Sequence, residues 1–278
     1  MHQTLFSYSC RMAEEAADPE QVIDHIRNSV AVTKYRRLVP DREIVEAVRD
    51  AYDHVLIGAK RSTVPFTVYD VDAAGELFQK WNTILMDLDT LSPKSPPNEV
   101  RLALQGLFLD TDLVCMGRDV RKPQVKSLKH WLKLSDDQLS SYQFIVPNAM
   151  SALEGPRKSD GRMSPRTQAN TGDRKYIVCD FDVPPKMWHP SLINHLIDFC
   201  GTMPALVLTS GGKSLHAWWR CYGMSDDDIA TFEYEAVRVG ADPAIMGDNR
   251  KNQFVRLPNG TRDDGNSQDV YYWNPMNG

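Results

Sequence analysis

The 278-residue sequence has no CxxC pair among its five cysteines, Cys10, Cys115, Cys179, Cys200 and Cys221. That scatter argues against a zinc ribbon, and the odd, widely spaced set argues against a disulfide framework. Apolar neighbours predict buried free thiols in a reducing compartment. No apolar run approaches the ~20 residues that a membrane-spanning helix needs. The segment from Met1 to Glu20 lacks the basic start and apolar stretch of a signal peptide, so the expectation is a cytoplasmic protein with no membrane partner. There is no internal repeat and no low-complexity segment. A Walker loop is missing too, although Gly211-Gly212-Lys213-Ser214 imitates its end. The glycine that the loop needs five positions earlier is Val207, and the chain continues into Leu215-His216-Ala217-Trp218-Trp219, which reads as strand rather than helix.

What is present is the composition of a globular chain, 42% hydrophobic and 25% charged, with core enough for one large domain or two modest ones. The net charge of −5 argues against coating nucleic acid by charge alone. Its distribution is uneven: Arg121 to Lys175 holds eleven Lys and Arg against five Asp and Glu, a local +6 that leaves −11 elsewhere. A solvated loop and a phosphate-contacting surface are equal readings of that run. On the second, Arg157, Lys158, Arg162, Arg166, Arg174 and Lys175 are the DNA-binding candidates.

Periodicity predicts an N-terminal, mainly helical region over 1–98, with helices from Asp41 to Val55 and from Ala73 to Leu88. The stretch Leu91 to Glu99, with three prolines, marks the boundary. A smaller α/β unit over 99–175 follows: a helix from Glu99 to Phe108, a strand at Leu113 to Met116, a helical piece near Val125 to Leu134, a strand at Phe144 to Val146, and a long loop from Ser151 to Lys175. From 176 to 278 the pattern sharpens. Tyr176 to Asp182 is a strand and Ser191 to Gly201 a helix. Ala205 to Thr209 and Ser214 to Trp219 are strands joined by a two-residue Gly211-Gly212 turn. Ser225 and Asp228 form a capping box for the next helix, and Gln253 to Leu257 is the fourth strand. The order β-α-β-β-α-β is the ferredoxin-like, RRM-like unit, with Val270 to Trp273 as an added edge.

Chemistry gathers on that module. Asp180 and Asp182, two apart at a strand end, share a face, where adjacent carboxylates call for a hard cation such as Mg²⁺ or Mn²⁺. Ser214 and His216 also share a face, and in this topology the first and third strands are neighbours. Asp242, after the second helix, can supply a third carboxylate, and Arg256 on a core strand must pair or face a ligand. Lys213 at the hairpin tip reads as a solvated turn residue within reach of a phosphate.

Taken together, YIVCDFD, SGGKSLHAWW and GADPA, followed by FVRLPNG, resemble the motifs of the archaeo-eukaryotic primase superfamily, and FIVPNAMS, the polar segment to ANTGDRKY and the ending VYYWNP resemble members carried by phages and plasmids. The resemblance runs from about Glu99 to the C-terminus. It implies a catalytic domain over 99–278 that acts as a DNA primase/polymerase-like nucleotidyltransferase, working on a single-stranded DNA template with NTP or dNTP. It further implies two divalent ions, Mg²⁺ or Mn²⁺, held by Asp180, Asp182 and Asp242. Ser214 and His216 would meet the incoming triphosphate, with Arg256 and Lys213 as helpers. A separately encoded helicase is an implied partner, and no zinc module is present. Two other readings stand beside this one. DFDVP, LVLTS, Lys213 and MGDNRKN resemble a haloacid dehalogenase-like phosphatase, with Pro184 in place of its threonine. A non-catalytic replication-initiation or nucleic-acid-binding module with the primase fold would keep the same residues.

Overall fold

The computed structural model describes residues 69–246 and 251–275, together with Val22, Ile23 and Val48. The chain divides into two compact units, Met1–Phe66 and Thr67–Gly278. In the first, Val22, Ile23 and Val48 are helical and buried. Apart from Val48, the helix expected from Asp41 to Val55 lies outside the described residues, as do Cys10 and most of the MGDNRKN stretch.

The second unit opens with two helices where periodicity predicts one, α1 (Val71–Trp81) and α2 (Leu85–Thr90). Asp70 caps α1 by accepting from Ala73 N at 3.0 Å, and Asn82 ends it in left-handed backbone at φ 43°. The proline stretch over 91–99 lies inside this unit. Asn259 Nδ2 donates to Pro97 O at 2.9 Å, and Ser92 Oγ accepts from Trp273 N at 2.9 Å.

Next come α3 (Val100–Leu107), β1 (Leu113–Gly117), β2 (Pro123–Ser127), α4 (Leu128–Trp131), α5 (Asp136–Ser140) and β3 (Phe144–Ile145). The helical piece expected near Val125 to Leu134 is therefore half strand. β2 pairs antiparallel with β1 along its whole length, Leu113↔Ser127 to Gly117↔Pro123, and Ser127 then caps α4. The alternation of Gln124, Val125 and Lys126 is a two-residue period, and backbone pairing outweighs the helical start that follows it. The long loop expected over 151–175 contains a short antiparallel ribbon, β4 (Gly155–Pro156) with β5 (Met163–Ser164).

The final third holds β6 (Tyr176–Phe181), α6 (His189–Cys200), β7 (Leu206–Thr209), β8 (Leu215–Arg220), α7 (Asp226–Arg238), β9 (Val255–Arg256) and β10 (Val270–Trp273). The Ser225–Asp228 capping box of α7 forms as expected. One sheet has the order β10-β7-β8-β6, with every pair antiparallel. The fourth strand of the expected β-α-β-β-α-β unit is the correction: β9 joins β3 in a second sheet of order β2-β1-β3-β9, with Phe144↔Arg256 and Ile145↔Val255. That pairing buries Val255 and Leu257 in the core shared with β1 and β3, and it is apolar burial that decides the place of so short a strand.

Side-chain alternation gives the β6–β8 sheet two packed faces. Ile177, Cys179, Phe181, Val207, Ala217 and Trp219 join the core under α6 and α7. Tyr176, Val178, Leu206, Leu208 and Trp218 join the core that includes β1, β3 and α3. Asp180 and His216 continue the second series along their strands, so they stand on the side of the sheet that faces β9.

Candidate active site

The register of β6 and β8 puts Asp180 directly opposite His216. Their side chains meet, His216 Nε2 lying 3.3 Å from Asp180 Oδ2, with the histidine buried and the aspartate about one-third exposed. Two further atoms of this pair, Asp180 Oδ1 and His216 Nδ1, are buried without a hydrogen-bond partner. A buried polar atom without a partner costs ~1–3 kcal/mol, and such atoms in a cleft mark a place where a ligand can supply the missing contact.

The hairpin that carries His216 is not closed by a two-residue turn. Ser210 N donates to Ser214 O at 2.9 Å, leaving Gly211, Gly212 and Lys213 as a three-residue loop. Gly211 sits at φ 70°, and a Cβ there would come within 2.7 Å of Arg262 Cδ and 3.0 Å of Ser267 O, so both conformation and space demand glycine. Ser214 and Ser210 share a hydroxyl hydrogen bond of 2.9 Å, and both are buried. Lys213 is not merely solvated: its Nζ lies 3.3 Å from Asp182 Oδ2 and donates to Asp182 O at 2.9 Å. Lys186 Nζ reaches the same loop by donating to Gly212 O at 3.2 Å.

Asp242 arrives beside Asp180 through the backbone, its N–H donating to Asp180 O at 2.8 Å. The approach depends on Gly240, at φ 113°, where a Cβ would collide with Pro184 Cγ. The Asp242 carboxylate accepts from Ala244 N at 2.8 Å and so caps the short 3₁₀ turn Pro243–Ile245.

Arg256 approaches from the facing sheet, its guanidinium 4.6 Å above the Phe144 ring. Burial acts to raise the Asp180 carboxyl. The His216 charge, hydrogen bonds from His216 and Ser214, and the charge of Arg256 together hold it below the ordinary value of 3.8. Burial in turn lowers Arg256, reinforced by Arg262 and opposed by Asp180 and Asp264. The departure of β9 from the expected sheet thus leaves Arg256 within electrostatic reach of Asp180, across the gap between sheets.

The six basic candidates separate into two groups. Arg174 is committed to an ion pair with buried Glu233 at 2.7 Å, and Lys175 lies 3.7 Å from Asp112. Arg157, Lys158 and Arg162 are exposed and Arg166 half-buried, all on or beside the β4–β5 ribbon. Sequence reasoning passed over Ser210, the partner of Ser214, and Arg262, whose Nη1 donates to Ser210 O at 3.2 Å. The spacing of Ser210 and Ser214 around the Gly-Gly pair was a usable signal; nothing near Arg262 was. Among the described residues, Cys115, Cys179, Cys200 and Cys221 are free, and burial pushes the Cys115 thiol up to about 12.

As a cation site the arrangement is complementary in chemistry but not gathered. Hard carboxylate oxygens suit Mg²⁺ or Mn²⁺, and Asp180 Oδ1 is a buried acceptor oxygen without a hydrogen-bond partner. Asp182 is engaged by Lys213 and Asp242 by its cap. Among the described residues, no three His, Cys, Asp or Glu side chains converge tightly enough to hold a metal ion. No described helix is long and apolar enough to cross a membrane.

Neither a family model nor a curated protein matches the chain. Among solved structures, it is similar to the AEP domain of the cyanophage S-2L primase-polymerase (PrimPol), with a TM-score of 0.41 and 17% identity over 64% of this chain and 93% of that one.

Proposed function

We propose that this chain is a primase/polymerase-like nucleotidyltransferase, joining nucleotides on a single-stranded DNA template during replication of a phage or other mobile element. The observation that carries the reading is the cross-strand Asp180–His216 pair, with one unpartnered polar atom on each residue. Ser214, Arg256 and Arg262 stand around it, as handling of a triphosphate beside carboxylates requires. The likeness of YIVCDFD, SGGKSLHAWW and GADPA to primase-superfamily motifs supports the same assignment.

In this reading Asp180, Asp182 and Asp242 hold divalent Mg²⁺ or Mn²⁺, which when bound stabilises the attacking 3′-oxygen and the leaving pyrophosphate. Lys213 keeps Asp182 neutralised until a cation competes for it. His216 and Ser214 orient the triphosphate, and Arg256 balances its charge from the opposite sheet. A second reading, a non-catalytic replication module with the same fold, draws on one observation: Asp182 and Asp242 are already occupied by protein partners.

The test incubates purified protein with primed and unprimed single-stranded DNA, labelled NTP or dNTP, and Mg²⁺ or Mn²⁺ in turn. Template-dependent product is expected. No product under any combination sinks the catalytic proposal and leaves the second reading. Phosphate release from a simple phosphomonoester would instead favour a phosphatase.

A further inference from the structure

Two adjoining surface clefts flank the β4–β5 ribbon: one of about 640 Å³ between the ribbon, the segment Arg166 to Ala169 and Asn252, and one of about 520 Å³ between the ribbon and the turn that joins β1 to β2. Each is within the ~300–1,000 Å³ of small-ligand sites, and they share Arg157 and Arg166 as a common wall. Lys158 lines the larger and Arg121 and Lys122 the smaller, and among the described residues no Asp or Glu lines either. Asp119, 3.6 Å from Arg121, and Asp160, 3.9 Å from Arg162, are the acidic groups paired with neighbouring arginines, and neither lines a cleft.

This basic pair of clefts is joined to the Asp180 site by a ladder of rings and guanidinium groups. Arg166 lies 4.2 Å over Phe254, Phe254 stacks on Phe144 with centroids 5.8 Å apart, and Arg256 lies 4.6 Å over Phe144. Stacking on a ring fixes a long cationic side chain without neutralising it. Arg166 is thereby held at the cleft wall, and Arg256 at the position from which its charge is felt by Asp180.

We infer that these clefts are an anchoring site for the phosphodiester backbone of single-stranded nucleic acid, separate from the Asp180–His216 pair. It extends the proposed function by locating where the template strand is gripped. Guanidinium forks match phosphate oxygens two at a time, and cations repeated across two adjoining clefts fit a ligand that carries one charge per repeat rather than a single anion. On a chain with net charge −5, a local cluster of cations is where a polyanion is attracted. A free triphosphate shares the phosphate chemistry, and the experiment separates the two sources.

The full chain is titrated against labelled single-stranded oligothymidylate by fluorescence anisotropy across a salt series. Arg121→Ala/Lys122→Ala and Arg157→Ala/Lys158→Ala change only exposed side chains, one pair on each side. Each double variant is expected to weaken binding roughly tenfold and to reduce the salt slope by ~1.4, the share of two phosphate contacts on a single strand. Asp180→Ala/His216→Ala is expected to bind as wild type does, so a failed catalytic proposal and a failed anchoring site are read in different samples. Unchanged affinity and slope in both cleft variants would overturn the inference. So would displacement of the oligonucleotide by inorganic triphosphate at equal phosphate concentration, which would make the clefts a pocket for free polyphosphate.

Discussion

Asp180 and His216 face each other across β6 and β8 with Oδ2 and Nε2 3.3 Å apart, and each keeps its other polar atom buried and unpartnered. A pair built for stability alone would satisfy those atoms too. His216→Gln keeps volume and some hydrogen bonding but loses the imidazole. It is expected to lower nucleotide transfer about 100-fold or more, in the range of a lost acid–base or charge-stabilising group. The thermal midpoint, followed by circular dichroism, is expected to move by only a few degrees. Equal loss of both would make the histidine a packing residue.

Glu233 and Arg174 behave differently. Their 2.7 Å ion pair is largely buried, the Glu233 and Arg174 side chains being 2% and 18% exposed, so a charge left alone there is poorly hydrated. Glu233→Ala is expected to destabilise by about 3–5 kcal/mol in urea unfolding. Arg174→Met/Glu233→Leu, which removes both charges, is expected to recover much of that loss. DNA binding by this double variant is expected to equal wild type, because Arg174 serves the fold.

Gly240 sets the path that brings Asp242 N to Asp180 O. At φ 113°, with Pro184 against the missing Cβ, Gly240→Ala meets both backbone strain and a collision. A loss of about 1–3 kcal/mol is expected, measured by chemical unfolding, together with lower transfer activity, since Asp242 moves with the turn.

Glu235 supplies a pH prediction. Burial acts to raise its carboxyl, but hydrogen bonds from Arg238 and His195, at 2.6–2.8 Å, hold it at about 2 against an ordinary 4.5. Because the folded value is the lower one, its contribution is complete above pH 4.5 and is lost as pH falls toward about 2. An unfolding series from pH 6 downward is expected to show a loss of stability in that window, as an order-of-magnitude effect, and Glu235→Gln is expected to flatten it.

The last third of the chain was the most legible from sequence because its signals are local. The apolar, β-branched run from Tyr176 to Phe181, the apolar face of α6, and the Ser225–Asp228 box each fix an element within a few residues. The pairing of its first and third strands then follows from topology, which is why Asp180 and His216 were foreseen as neighbours. What was not legible depends on partners distant in sequence. The position of β9 is decided by Phe144 and Ile145, more than a hundred residues earlier. The breakdown of one expected helix into α1 and α2 turns on the left-handed conformation of Asn82. The attachment of Lys213 to Asp182, and of Arg174 to Glu233, is a matter of side-chain reach that no pattern of residue types encodes.

The most direct test of the central claim is release of pyrophosphate from nucleoside triphosphate, with and without single-stranded template, by wild type and by Asp180→Asn. Template-dependent release by wild type in Mg²⁺ or Mn²⁺ is expected, with a loss of at least about 100-fold in Asp180→Asn and template binding unchanged. Release by Asp180→Asn at the wild-type rate would contradict the claim.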